Sequence, residues 1–436
     1  MQEAQTQDCL LMMNPQLDLF STRVYQNELF GAEYIIVRPF NNLDNGPIDF
    51  LVRESKEYFD LSETMLSLKV KVVNADGSAI VKTSDEKDNV ALINNAMHSV
   101  FSDVQIMING KPVEGVADGM YPYRAYIANL FKFSKEAQVQ QLFSEGFVRD
   151  DHASMDTVSN AAFRVRKAWT ADGVSKRFFG KLNCSMFQQE RLLVPGVDFL
   201  LRLERAKDAF AIFNANPLIK PKVVIQEATL HLLALKTNPA IMQFHAVQLA
   251  RGIPAIYEFN RVEIDTIPIR EKTTSEVKED LFHGRVPKYL VMAMVSNSAF
   301  HGDYTLNPFN FKHYGVKSLL LTRDAENIPY ERFEPDFKTS NCLREFMSLY
   351  QSNEVMGKNA ILPITYDEFK SGYTTFQWNL TDNRMGVNAG PNQRGNIKLD
   401  ITFADPTSEA MVVVLYGIFE STVQVFANDQ VIVDGV

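Results

Sequence analysis

"VQIMING", residues 104–110, reads as a strand that runs into a tight turn. Val104, Ile106 and Ile108 fall on one face, and Gln105, Met107 and Asn109 on the other. The Asn-Gly pair then signals a two-residue hairpin, because both residues tolerate the positive φ of a type I′ turn. Further along, "VKSLLLTRDAENIPY", residues 316–330, repeats the theme: a strand opening on Val, a polar turn and a Pro-led exit.

Other segments recur in the same order. "MLSLKVKVV", 65–73, places Leu66, Leu68, Val70 and Val72 on one face, and its counterpart is "KYLVMAMV", 288–295. Each hairpin is followed by a stretch in helical period, "YPYRAYIANLF" at 121–131 and "NCLREFMSLYQ" at 341–351. The first groups Tyr123, Tyr126, Ile127 and Leu130 on one face; the second groups Leu343, Phe346, Met347 and Tyr350. "FFGKLNCSM", 178–186, precedes the strand "VDFLLRLER", 197–205, as "YTTFQWNLT", 373–381, precedes "NIKLDITFAD", 396–405. "KVVIQEATLHLLAL", 222–235, closes the first set and "VVVLYGIFESTVQV", 412–425, the second. One fold is written twice. The seam falls near 236–258, which holds two prolines and a short amphipathic piece. Frequent strands without βαβ alternation exclude a doubly wound sheet and indicate two antiparallel sheets packed face to face in each half. Periodicity supports two tandem β-sandwiches and does not separate the jelly roll from other Greek-key sandwiches.

A chain of 436 residues buries enough surface to need neither disulfide nor metal for its core. Its 46% apolar and 22% charged content is that of a globular protein. The net charge of −9 disfavours phosphate gripping as the main task, and the densest basic cluster, "FRVRKAW" at 163–169, is short. Cys9, Cys184 and Cys342 are scattered and odd in number, which fits buried thiols in a reducing compartment. "MQEAQTQDCLLMMNPQ" lacks the basic start and long apolar run of a signal peptide, so the chain is expected not to be secreted. No run approaches the length of a membrane span. Asn183 and Asn379 sit in glycosylation patterns but inside predicted strands, and carry little weight.

The sequence contains no P-loop, HExxH, GxSxG or GxGxxG pattern. The seven histidines are dispersed, His301 and His313 being the nearest pair, and read as satisfied or surface residues. The acidic pairs Asp150-Asp151 and Glu279-Asp280 read as solvated surface, and Cys184 as a buried small residue in a strand. Accordingly no catalytic, cofactor-binding or metal-ligating residue is assigned. Polar segments at 74–90, 150–177 and 382–396 exceed ordinary loop length and are the expected functional surfaces.

The run 285–337, with "VPKYLVMAMV", "HGDYTLNPFNF", "VKSLLL" and "NIPYERFEPDF", resembles the major capsid proteins of Polinton (Maverick) elements and adintoviruses. "EYFDLSETMLSLKVKVV" and "INNAMHSVFSDVQIMINGKPVE" are similar to the same family in the first half. The resemblance implies an all-β double jelly roll, two tandem eight-stranded sandwiches with short helices. Its divisions would be an N-terminal arm at 1–20, a first roll at 21–240, a linker at 241–258 and a second roll at 259–436. It further implies a non-enzymatic homotrimer whose six rolls form a pseudo-hexagonal capsomer of an icosahedral virion. Such a subunit would meet neighbouring capsomers and a minor or penton capsid protein, touch encapsidated DNA only indirectly, need no cofactor, and be made in the host cytoplasm or nucleus. The alternatives are a two-domain sandwich that binds a glycan or receptor, as a minor capsid or attachment protein would, and a β-sandwich carbohydrate-active enzyme.

Overall fold

The computed structural model describes residues 28–44, 46–80, 89–115, 119–216, 219–352, 362–381 and 394–434. In the first half eight strands form two antiparallel sheets: β1 (Leu29–Val37), β2 (Ile48–Val52), β3 (Tyr58–Val73), β5 (Phe101–Ile108), β6 (Lys111–Glu114), β7 (Lys176–Gly180), β8 (Phe199–Arg205) and β10 (Lys222–Thr237). Their orders are β1-β10-β3-β7 and β2-β8-β5-β6; the short β4 (Val90–Leu92) and β9 (Ile212–Asn214) pair separately. The second half contains β11 (Ala255–Ile269), β12 (Ser275–Lys278), β13 (Tyr289–Ser296), β14 (Val316–Arg323), β15 (Glu326–Phe333), β16 (Thr375–Asn379), β17 (Ile397–Phe403) and β18 (Met411–Val425). These order as β11-β18-β13-β16 and β12-β17-β14-β15, with β19 (Val431–Asp434) added to β18.

Counted along either half, one sheet joins strands 1, 8, 3 and 6 and the other joins 2, 7, 4 and 5. This is the jelly-roll order of two Greek keys, and it occurs twice without exception. The molecule is a double jelly roll. The two hairpins that announce it are equivalent. Ile108 pairs with Lys111 around Asn109 and Gly110, at φ 50° and 72°. Arg323 pairs with Glu326 around Asp324 and Ala325, at φ 45° and 76°. Both loops are two left-handed residues, the geometry that matches strand twist, although Ala325 holds it without glycine's freedom.

Alternation follows burial. Leu66, Leu68, Val70 and Val72 on β3 are inaccessible, as are Phe199, Leu201 and Leu203 on β8, and Ile397 and Leu399 on β17. Strand β13 differs from its counterpart β3: Leu290 to Val295 are all buried, so both of its faces are covered and its sequence is an uninterrupted apolar run. The two cores interlace. Tyr123, Tyr126, Phe147 and Phe210 of the first half belong to the second roll's core, while Tyr257, Phe259, Val423 and Val425 belong to the first roll's.

Four local readings are corrected. The 150–177 segment is not a polar loop: it carries helix Ala161–Thr170, with Phe163, Arg166 and Trp169 buried. Helix Pro239–Ala250 at the seam is apolar all round rather than amphipathic, and β11 already begins at Ala255. Cys184 is buried as expected but follows β7 outside any strand, as does the Asn183 pattern. Helix Leu343–Ser352 buries Glu345, Ser348 and Leu349 and leaves Leu343 and Met347 outward, because its third-turn register is set by packing on β16. Residues 81–88 and 382–393 of the other long segments, and the 1–20 arm, lie outside the described residues.

Phe199 opens β8 opposite Ile108, beside the first hairpin, Phe403 closes β17 opposite Val316, and both are buried. Replacing either by Ala is expected to cost roughly 3–5 kcal/mol in urea unfolding, from lost transfer energy plus the cavity left behind. A cost near zero at either would show that its ring does not fill a core.

Candidate functional site

Helix Tyr121–Lys132 begins the seam between the rolls. Pro122 in its first turn suits a position where no N–H is needed, and the run Tyr121–Leu130 is buried on every side. A helix so enclosed must be covered by more than its own sheet. The second roll supplies the cover. Phe309 stacks on Tyr126 at 4.1 Å between ring centres, Phe300 stacks on Tyr123 at 5.4 Å, and Phe311 meets Tyr126 edge-on at 5.9 Å.

Beside these rings lies a buried carboxylate. Asp150 accepts at Oδ1 from Arg166 Nη2 (2.8 Å) and Asn160 Nδ2 (3.1 Å), and at Oδ2 from Asn94 Nδ2 (3.1 Å) and Asn307 Nδ2 (3.3 Å). All four lone-pair positions are thereby used, which is what a buried ionised carboxylate requires. Its backbone carbonyl accepts from the Tyr373 hydroxyl at 2.8 Å. Asn307 and Tyr373 come from the second roll, so one aspartate ties both halves together. Arg149, the preceding residue, forks onto Glu368 at 2.9 and 3.0 Å and lies 4.6 Å over the Tyr373 ring. Gly372 presses against this loop: a Cβ there would stand 2.6 Å from Met155 Sδ and 3.0 Å from the His152 carbonyl, and its φ is +79°. The expectation that Asp150-Asp151 is solvated therefore holds for Asp151 alone, which is exposed and faces His152 at 3.5 Å.

A second enclosed pair lies within the first roll. Arg124 donates to Glu114, which also accepts from the Ser185 N–H at 2.6 Å and the Met186 N–H at 2.7 Å. Burial pushes the Glu114 carboxyl up, but the Arg124 charge and the two backbone donors outweigh it and hold it below the ordinary carboxylate value.

The remaining sequence candidates are dispersed. His301 Nδ1 lies 3.0 Å from the Asn297 carbonyl, whereas His313 stacks on Phe337 at 4.3 Å, where burial lowers its pKa. Glu279 faces Lys398 at 3.4 Å, and the Asp280 N–H donates to Asn396. Among the described residues no cluster of three or more His, Cys, Asp or Glu is placed to hold a metal. A cavity of about 550 Å³ opens between helix Pro239–Ala250 and the starts of β1, β3 and β11, lined by Tyr58, Leu192, Ile241, His245, Leu249 and Tyr257. His245 Nδ1 and the Tyr58 hydroxyl are 2.7 Å apart at its wall. None of the described helices is long and apolar enough to cross a membrane.

What the site does is mechanical: it fixes one roll against the other. Sequence reading missed Asp150 because its partners come from three stretches of chain, Asn94, Asn160 with Arg166, and Asn307. The outward apolar side chains also gather: Leu29, Phe30, Tyr34 and Ile36 on edge strand β1, Phe244 and Val247 on helix Pro239–Ala250, and Tyr330, Leu343 and Met347 in the second roll. Clusters of this kind mark contact surfaces.

No protein-family profile matches the chain. It is 22% identical over 351 residues to the uncharacterized protein F54H12.2 of Caenorhabditis elegans, spanning 77% of this chain and 80% of that one. Its fold is similar to a chain of the Sputnik virophage cryo-EM structure (TM-score 0.62, 12% identity, 97% of this chain and 92% of that one). It is likewise similar to a chain of the PBCV-1 virus capsid (0.57, 10%, 96% and 99%) and to the mavirus major capsid protein (0.55, 12%, 98% and 94%). These neighbours are double jelly-roll capsid proteins, and the likeness runs through both rolls.

Asp150→Ala would leave the Arg166 guanidinium buried without its counter-charge. We expect a loss of roughly 3–5 kcal/mol in denaturant unfolding. A loss below about 1 kcal/mol, that of a single surface pair, would show the carboxylate to be solvated after all. The sign at Glu114 is equally definite. Its folded pKa lies below the unfolded one, so its contribution is complete above the ordinary carboxylate value and is lost as pH falls through the folded value. Melting temperature is therefore expected to fall in acid, and Glu114→Gln should flatten that acid limb while lowering stability at neutral pH.

Proposed function

We propose that this chain is a major capsid protein, a structural subunit with no enzymatic role, of the kind encoded by Polinton (Maverick) elements and adintoviruses. Three copies form a pseudo-hexameric capsomer, and capsomers tile an icosahedral shell. The observation that carries the reading is the repeated strand order: two complete jelly rolls in one chain, locked by an aromatic and polar seam. Six equivalent rolls from three such chains give near-hexagonal tiles, and a heterologous contact around the axis closes after three steps. Likeness of fold to viral capsid proteins along more than nine-tenths of both chains supports it.

On this reading the divisions are an arm at 1–20, rolls at 21–240 and 259–436, and a linker at 241–258. The partners are further copies, neighbouring capsomers and a minor or penton capsid protein; DNA is enclosed and met only indirectly, as the net charge of −9 suits. The location is the virion capsid, after synthesis in the host cytoplasm or nucleus.

Light scattering on a sizing column, with negative-stain images of the same peak, tests the proposal. The expected mass is three times 49.5 kDa with pseudo-hexagonal outlines. A clean monomer at every salt concentration would overturn it and favour a two-domain binding module.

A further inference from the structure

Helix Pro239–Ala250, which connects β10 to β11, has no buried residue, yet one of its faces is turned toward the protein. Ile241, His245, Gln248 and Leu249 stand at i, i+4, i+7 and i+8, and each is half-buried. All four line the cavity of about 550 Å³ that also holds Tyr58, Leu192 and Tyr257 in its wall. Protein interiors leave few voids larger than a water molecule, and this volume falls in the range of about 300–1,000 Å³ that small-molecule sites occupy. The chemistry of the wall says what fits. Leu192, Val194, Ile241, Leu249 and Ile253 are apolar. The enclosed polar groups are already engaged: the Tyr58 hydroxyl with His245 Nδ1 at 2.7 Å, and the Tyr257 hydroxyl with the Val194 N–H at 3.0 Å and the Leu192 carbonyl at 3.3 Å. Water is held in a cavity only by several polar partners, so this wall favours an apolar occupant.

We propose that this cavity binds a free fatty acid, with its acyl chain against Leu192, Ile241 and Leu249 and its carboxylate on Arg191. Arg191 is the one cation in the wall. Its Nη1 is fixed by the Ile256 carbonyl at 2.6 Å, whereas its Nη2 stands 3.9 Å from the Glu258 carboxylate, beyond hydrogen-bond length. Glu258 and the wall residue Glu28 are both exposed to water, so neither takes the place of a desolvated partner for Nη2. A single cation beside an apolar wall matches a single carboxylate at the end of an apolar chain. Occupation would also give helix Pro239–Ala250 the buried face it lacks and so stiffen the connection between β10 and β11. The site lies within one chain, so the proposal stands apart from the capsomer reading.

Isothermal titration calorimetry of the full chain with octanoate, decanoate and laurate, each below its micelle concentration, tests the proposal. One site per chain is expected, with affinity rising about fourfold for each added CH₂ group. Laurate should also raise the melting temperature, because it binds the folded state alone. Leu249→Trp, which fills the cavity, should abolish binding with an unchanged far-UV circular dichroism spectrum; if it misfolds, Ile241→Trp takes its place. Arg191→Gln, at an exposed position, should weaken laurate roughly tenfold and leave dodecanol, the same chain without the charge, unaffected. Absence of saturable laurate binding would overturn the proposal, as would binding that both tryptophan variants retain. Equal weakening of laurate and dodecanol by Arg191→Gln would overturn the carboxylate contact. Flotation with phosphatidylcholine vesicles in place of laurate binding would make this face a membrane contact and overturn the fatty-acid site.

Discussion

The buried carboxylate of Asp150 is the constraint on which the arrangement of the two rolls depends. An ionised carboxylate taken out of water costs several kcal/mol unless every lone pair finds a donor. Here the donors are drawn from three separate places in the chain, Asn94, the helix that carries Asn160 and Arg166, and Asn307 in the second roll. Shifting one roll against the other would strip Oδ2 of a donor and unstack Phe309 from Tyr126. Apolar burial alone tolerates some sliding, since it has no direction. The polar fan does not. The combination fixes an angle, whereas either component alone would only supply adhesion.

Duplication explains the architecture but not its asymmetry. Both rolls share one strand order, yet β3 keeps Lys69 and Lys71 on a partly wet face while β13 is apolar from Leu290 to Val295. The helix Ala161–Thr170 sends Arg166 to Asp150, whereas the second roll's corresponding connection holds the five-residue helix Tyr366–Lys370, which sends Glu368 to Arg149. Interlaced cores follow from the same asymmetry: aromatic residues of the first roll sit in the core of the second, and Tyr257 and Val423 return the exchange. Each roll is thus part of the other's folding environment.

Much of the fold was legible because strands with one wet face write their burial into the sequence. Leu66 to Val72, Phe199 to Leu203 and Ile397 to Phe403 alternate, and all point as read. The hairpin at Asn109-Gly110 was legible for a local reason, the left-handed backbone that those residues accept. What failed was non-local. Asp150 looks solvated beside Asp151 because its donors Asn94 and Asn307 lie far off along the chain and the helix that brings Asn160 and Arg166 was read as a loop. Helix Leu343–Ser352 offers two stripes, and its period cannot say which one the β16 side takes; Leu349 goes inward, and Leu343 and Met347 do not. Helix Pro239–Ala250, read as a short amphipathic piece, has no buried residue. The seam was therefore the least readable part of the chain and the most consequential.

On the capsomer reading, rigidity at the seam has a thermodynamic use. Every contact between copies must offset the freedom lost on association, and each mobile joint adds to that cost. Two rolls joined by a free linker would have to be ordered afresh at every contact of a growing shell. Locked by Asp150, Arg149–Glu368 and the stacked rings, they meet their neighbours already ordered. Weak contacts then suffice between copies, and weak contacts can be undone when a subunit joins wrongly. A chain that places such interactions inside the subunit, and leaves apolar faces such as Leu343 and Met347 outside, is suited to assembling by many correctable steps.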